Sequence, residues 1–355
     1  MTADPDRPAA GSAPARLGAG WLVGGVAAVV VMLIAGVAIG PTTLPPGAVA
    51  LELLDRLPGV DLASGLSERQ GAIVWELRLP RVVLALLVGA LLATAGGAYQ
   101  GVFGNPLADP YLLGVAAGAG LGATVAVLLR SGLPPQTPVE LPAYAFAGAL
   151  VAVALTYGLG ASGSRRSAAM LILAGVAVAN FLTAVQTYLM QRDADTVQQV
   201  YSWVLGQLAV SGWHDVRLLL PYFLVTILVM VAHGRWLDVL AVGDEEAASL
   251  GLRPSYVRFR LVAVASLAAA AAVSVSGLIG FVGIIVPHLM RLLAGYSYRV
   301  ILPLCVLFGA AFLAFADLLA RVVLAPAELP IGVVTAFFGA PFFIIVLRSV
   351  RRMPV

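Results

Sequence analysis

Lysine is missing altogether from this 355-residue chain, so all 21 of its basic residues are arginine. G+C-rich coding produces the same bias, and no function is read from it. Cysteine occurs once, as Cys305 inside an apolar run, which excludes a disulfide framework and a thiolate metal site. The three histidines, His214, His233 and His288, lie far apart with no i, i+4 pairing, so no zinc-binding helix is available. Charged residues make up only 11% of the chain and the net charge is +3, which leaves no basic domain for nucleic acid.

Apolar residues fill the space left by these absences. They make up 61% of the chain, and the mean hydropathy of +0.98 lies far outside the soluble range. A bilayer core of about 30 Å takes roughly 20 helical residues to cross. Ten runs are candidate spans: Gly20–Gly40, Leu79–Gln100, Tyr111–Arg130, Ala143–Gly160, Met170–Met190, Val216–His233, Leu261–Val275, Leu278–Ala294, Val300–Leu319 and Ile331–Arg348. The expected class is an all-α polytopic membrane protein embedded in lipid. Residues 1–19, rich in Pro, Ala, Asp and Arg, read as a disordered tail, and residues 20–355 as one transmembrane domain. Gly20–Gly40 is too long for a signal-peptide core and reads as a span.

Two places resist a simple reading. Leu261–Ala294 is long for one span and tight for two, and Ser276-Gly277, Gly280 and Pro287 mark an interruption there. Asn105-Pro106 to Asp109-Pro110 forms a second turn cluster. An even number of spans puts both termini on one side, and the arginine bias makes that side cytoplasmic. A short repeat relates Ile172-x-x-Gly175-Val176 with Phe181 to Leu329-x-x-Gly332-Val333 with Phe338. Gly97 followed by Pro106 likewise resembles Gly277 followed by Pro287. Two halves of five spans must run in opposite directions, the logic of inverted repeats.

The most polar segment between hydrophobic runs is Gly234–Arg260. Its four arginines (Arg235, Arg253, Arg258, Arg260) balance four acids (Asp238, Asp244, Glu245, Glu246). Within it the pattern predicts a short helix with Asp244 as N-cap, Glu245 and Glu246 in the first turn, and Gly251 followed by Pro254 as the stop. A folded knob of this kind on a membrane protein suits a partner that grips it. Inside the spans, titratable candidates are confined to Asp317 and His288, and both read first as packed, hydrogen-bonded residues. An ion-driven carrier would need such groups as coupling sites. An intramembrane enzyme would need a nucleophile–base pair or a metal set, and neither assembles here. The energy source is therefore expected outside this chain. At the outer ends of spans, Arg78 and Arg81 sit three apart, and Arg321 faces them with Glu328 nearby. Spacing alone allows either interfacial anchoring or a cationic collar for an acidic partner.

Four stretches carry a family resemblance: residues 77–120, with LRLPR and NPLADP; 240–252, LAVGDEEAASLGL; 277–295, with GFVGIIVPH; and 316–348, with ELPIG. The chain resembles the FecCD-type permeases for iron-siderophore, haem and vitamin B12 uptake, which are type II ATP-binding-cassette importers. The resemblance implies about ten transmembrane helices in two inverted five-helix halves. It further implies a second permease copy, giving a homodimer, and two cytoplasmic ATPase subunits that bind ATP and Mg. An extracytoplasmic substrate-binding protein completes the set, and this chain would hold no cofactor, no metal and no catalytic residue. Gly243, Asp244, Glu245, Glu246, Ala247, Ser249, Leu250, Gly251 and Leu252 would form the coupling helix. Arg78, Arg81 and Arg321 would dock the binding protein. Gly175, Val176, Gly332 and Val333 would flank the pathway, and Ser164 and Ser167 would lie near the cytoplasmic gate. The implied site is the bacterial inner membrane. The implied cargo is a large metal chelate, first a ferric siderophore, with vitamin B12 or haem as alternatives.

Overall fold

The computed structural model describes residues 17–40, 42–56, 58–59, 62–132, 140–161, 168–191, 194–208 and 212–350. The tail expected over 1–19 therefore lies almost wholly outside the described residues, as do Ser164 and Ser167. Among the described residues every regular element is helical: α1 (Ala19–Ala38), α2 (Pro46–Asp55), α3 (Glu68–Ala72), α4 (Leu79–Phe103), α5 (Val115–Gly132), α6 (Leu141–Ala161), α7 (Ala168–Met190) and α8 (Ala194–Val204). The second part of the chain adds α9 (Trp213–Ala232), α10 (Gly234–Leu240), α11 (Asp244–Ser249), α12 (Pro254–Ser276), α13 (Val282–Ala294), α14 (Tyr298–Val322) and α15 (Ile331–Val350). The ten expected spans correspond to α1, α4–α7, α9 and α12–α15.

The hydrophobic pattern says that these segments enter lipid, and small residues decide which of them reach the centre. α4 is the axis and packs against α14, α12, α13 and α9. Across its most apolar window 83% of positions are buried, against 17% in α7. Lipid tails are as apolar as the side chains, so close backbone contact, and not hydrophobic expulsion, holds such helices together. The contact is very close. A Cβ on Gly89 would fall 2.2 Å from the carbonyl oxygen of Gly309, one on Gly96 1.9 Å from that of Gly283, and one on Gly118 2.3 Å from that of Gly148. Only hydrogen fits at these crossings.

The interruption expected near residue 277 is present. α12 stops at Ser276, Gly277 turns with φ +69°, and the 13-residue α13 begins only at Val282. Phe281 precedes it in the left-handed region, φ 69°, a conformation that costs a non-glycine residue roughly 1 kcal/mol or more. The turn at 104–114 holds a single 3-10 turn, Pro110–Leu113, so the third span starts at Val115 and not at Tyr111. Asp109 caps that turn, accepting from the Tyr111 backbone N–H at 2.7 Å. Tyr111 in turn donates its hydroxyl to the Ile279 carbonyl at 2.9 Å, which ties the two interruptions together.

Several readings need correction. Pro254 does not end the knob; it opens α12 at the first helical position, where its missing N–H is harmless, so that span begins seven residues before Leu261. Gly97 lies inside α4 while Gly277 lies in a break, so the proposed Gly97/Gly277 correspondence does not hold. The segment between the first two spans also contains structure: α2 and α3, fixed by Glu52, which accepts from Trp75 Nε1 at 2.9 Å and from Ser64 Oγ at 2.6 Å.

Candidate functional site

At the end of the bundle where α4 begins, the three arginines expected to form a collar are drawn into the bundle. α3 runs into α4 through a π-helical turn, Ile73–Arg78, which inserts extra residues per turn and sends Arg78 and Arg81 to different neighbours. Arg78 is 7% exposed and donates to the carbonyl oxygens of Val37, Ala38 and Thr42 and to Thr42 Oγ1, which fastens α1. Arg321, 5% exposed, donates to the carbonyls of Gly36 at 2.9 Å and Ile39 at 3.2 Å. Arg81 grips Glu328 through both terminal nitrogens, at 3.0 and 2.9 Å, and its Nε donates to Asp317 at 3.0 Å. Asp317, 1% exposed, faces Arg321 on its other oxygen at 3.0 Å, an ion pair that is not aligned for a hydrogen bond.

This rim is thus a four-member chain, Glu328–Arg81–Asp317–Arg321, with no net charge. Asp317 reads in the sequence as a packed polar residue and is one; its i, i+4 spacing to Arg321 is a local signal, whereas Arg81 comes from a remote helix. The element closest to solvent is the bidentate Arg81–Glu328 pair, which borders a 330 Å³ recess that also contains Gln198, Tyr201 and Gln207. These polar side chains come from α8 and the segment after it, which hydropathy does not mark.

At the opposite end of α4, the expected knob is a six-residue helix with one correction to its start. Gly243, φ +121°, supplies the cap position and no side chain caps the helix; Asp244 is its first residue, paired with Arg258 at 2.6 Å. Ala247 is buried and holds the turn against the bundle. Ser249 donates to the Glu246 carbonyl at 2.7 Å. Gly251, φ +83°, closes the helix, with the Leu252 N–H returning to the Ala247 carbonyl at 3.0 Å, a C-cap that needs a left-handed residue. Glu245 and Glu246 project into solvent at the helix start, where the dipole favours acids. Leu250 beyond them is 69% exposed, and Val242 is 60% exposed, while Leu252 packs inward against the main core.

The base of this knob is rigidly held. Asp238 on α10 accepts from Ser297 Oγ at 2.7 Å and from the Tyr298 N–H, pinning the knob to the start of α14. Arg291 on α13 donates to Gln100 Oε1 at 3.0 Å and to the Tyr298 hydroxyl at 3.2 Å. These bonds tie α10 to the start of α14 and, through Tyr298 and Arg291, to α13 and α4.

The four pathway candidates occupy equivalent surroundings in the two halves. A Cβ on Gly175 of α7 would lie 2.1 Å from the Leu112 carbonyl, beside the first interruption. One on Gly332 of α15 would meet the carbonyls of Leu205 at 2.5 Å and Leu278 at 2.9 Å, beside the second. The next residues, Val176 and Val333, are 49% and 45% exposed. Each helix thus presses its glycine on a broken backbone and turns its valine outward. No cluster of three metal-ligating side chains occurs among the described residues.

Known proteins are similar to this chain over most of its length. The model of the FecCD transport family matches residues 28–349. The cobalamin import system permease protein BtuC of Halobacterium salinarum is 42% identical over 288 residues, covering 81% of this chain and 76% of that protein. The Fe(3+)-citrate import system permease protein YfmE of Bacillus subtilis is 35% identical over 324 residues, covering 91% and 93% of the two chains. A solved structure named for an inward-facing conformation of a metal-chelate type ABC transporter has a TM-score of 0.79 at 28% identity, covering 92% of this chain and 98% of that one.

Proposed function

The chain belongs to the FecCD transport family, and from that premise we propose that it passes a large metal chelate inward by alternating access. It is the membrane-spanning permease subunit of an ATP-binding-cassette importer and not itself an enzyme. The cargo is a ferric siderophore or cobalamin; relatives named for Fe(3+)-citrate import and for cobalamin import support the two equally. The functional unit pairs two copies of this chain with two ATPase subunits at the end carrying α10 and α11. That end, with both chain termini, faces the cytoplasm, and the membrane is the bacterial inner membrane.

The observation that carries the mechanism is the acidic knob with exposed Leu250 standing on a base that is hydrogen-bonded into α14 and, through Tyr298 and Arg291, into α4. A groove on an ATPase that holds Glu245, Glu246 and Leu250 can push on the bundle through Asp238 and Tyr298 without bending α11 alone. At the far end, a loaded binding protein meets the outer rim. The docking role of Arg78, Arg81 and Arg321 then takes a specific form: a partner carboxylate competes with half-exposed Glu328 for Arg81, while Arg78 and Arg321 hold the rim that positions it. Gly175, Val176, Gly332 and Val333 border the path between the two copies.

The test is reconstitution of the permease in liposomes with its ATPase and binding protein. The cargo is ferric siderophore or cobalamin in turn, and uptake and ATP hydrolysis are recorded together. Wild type should accumulate one of the two. E245R/E246R should retain expression and dimer formation but lose cargo-stimulated uptake. Wild-type uptake by that variant would remove the coupling assignment.

A further inference from the structure

Beneath the knob lies a cavity of about 490 Å³, bounded by the end of α4, by α6, by the start of α12 and by the α10–α11 link. Its lining mixes two chemistries. Phe103, Tyr157, Phe259 and Val262 supply apolar surface, with the rings of Tyr157 and Phe259 5.1 Å apart. Asp244, Ser255 and Arg258 supply polar and charged groups. The Arg258 guanidinium is held by Asp244 at 2.6 Å through one terminal nitrogen, and its buried Nε has no hydrogen-bond partner among the described residues.

That arrangement selects an occupant with an anionic head and an apolar body. The Arg258–Asp244 pair has side chains 36% and 54% exposed, and solvent screens such a pair strongly, so Asp244 is a weak competitor for the cation. A guanidinium held through only one terminal nitrogen has the other to offer a phosphate, a charge-assisted contact. The setting also marks the headgroup level. Phe259 is 46% and Tyr256 51% exposed, and Arg260 stacks on the Tyr256 ring at 4.7 Å, the aromatic and basic belt of a membrane interface. An anion that brings its own apolar body to that level is a phospholipid.

We propose that this cavity seats an anionic phospholipid, its phosphodiester on Arg258 and Ser255 and its upper acyl chain along Phe259 and Val262. Because Asp244 is the first residue of α11, lipid phosphate and Asp244 compete for one guanidinium. Bilayer composition is thereby linked to how firmly the knob is seated. The inference stands on the cavity and does not require the importer reading.

The experiment uses the full chain in nanodiscs of phosphatidylcholine with a graded fraction of phosphatidylglycerol, followed by mass measurement of the lipid retained on release. Wild type should retain phosphatidylglycerol over phosphatidylcholine. R258Q should lower that preference about tenfold, the loss of one charge-assisted contact. D244N should raise it, and R260Q, outside the cavity, should leave it within about twofold. A purely structural role for the ion pair predicts that R258Q and D244N act alike, and that result overturns the proposal. So does a wild type without preference. Displacement of phosphatidylglycerol by millimolar inorganic phosphate, with the same dependence on Arg258, would assign the site to a soluble anion instead. Should R258Q fail to fold, D244N decides alone: unchanged or reduced retention refutes lipid competition.

Discussion

Replacing Asp317 by Asn tests whether the Glu328–Arg81–Asp317–Arg321 chain is a structural clasp. Asn keeps the volume and removes the charge, leaving Arg81 and Arg321 facing each other with side chains only 15% and 5% exposed. Severing a buried pair costs about 3–5 kcal/mol because the survivor keeps its desolvation penalty. Here the lower end applies, since Arg81 retains Glu328 and Arg321 retains the carbonyls of Gly36 and Ile39. A loss of about 3 kcal/mol should appear as a fall of roughly 5–10 °C in the unfolding midpoint of detergent-solubilised protein. E328Q supplies the contrast: that carboxylate is 42% exposed, so its loss should stay under about 1 kcal/mol. The double variant D317L/R321M removes both charges and should be better tolerated than the sum of D317L and R321M, with a coupling of about 0.5–3 kcal/mol. A D317N midpoint within about 2 °C of wild type, or strict additivity in that cycle, refutes the clasp.

Three further outcomes follow from the packing and the turns. G96A drives a methyl into the Gly283 carbonyl and should cost at least about 3 kcal/mol, seen as loss of the monodisperse peak in size-exclusion chromatography, whereas G24A, with nothing within 4 Å, should be silent. G339A displaces the Phe281 ring, whose Cγ would lie 2.1 Å from the new Cβ; F281A/G339A should melt higher than the two single losses predict. Burial pushes the Asp109 carboxyl up to about 6 against the opposing hydrogen bond from Tyr111, so the folded chain holds that proton while the unfolded chain loses it near 3.8. Stability from this group is complete below about pH 4 and is lost as pH rises through 6, by about 1–2 kcal/mol after discounting for partial exposure; D109N should flatten that slope in melts across pH 4–7.

Sequence reading succeeded where one physical signal dominates. Hydropathy marks ten apolar segments and each holds a helix, seven of them, among the described residues, long and apolar enough to cross a membrane, and the break at Gly277 follows from glycine where a helix would otherwise continue. It failed where the decisive contact is remote. Nothing near Arg78 announces a π-helical turn, and nothing near Asp317 announces an arginine 236 positions away. The capping error at Asp244 has a local cause: Asp and Gly both suit an N-cap, and the adjacent Gly243 alone accommodates φ +121°. α8 escaped a hydropathy search because its polar residues dilute an apolar face. Val200 and Trp203, three apart and buried, were the available signal.

Where the buried contacts lie bears on how motion can travel. At Gly89–Gly309 and Gly96–Gly283 backbones touch with no side chain between them, so α4, α14 and α13 have nothing to repack and must move together. α7 is the reverse case, with 17% of its apolar window buried. It packs along α6 and α5, and at Gly175 it also meets the Leu112 carbonyl, beside a turn that Tyr111 bonds to the second break at Ile279. A displacement entering at Asp238 therefore passes through a stiff centre and finds its freedom at α7 and α15, beside two interruptions already joined by one tyrosine. Y111F keeps the ring and removes that bond. It should leave thermal stability within about 1.5 kcal/mol while changing how cargo-stimulated transport depends on ATP hydrolysis. A variant with unaltered coupling between hydrolysis and uptake would show that the two breaks move independently.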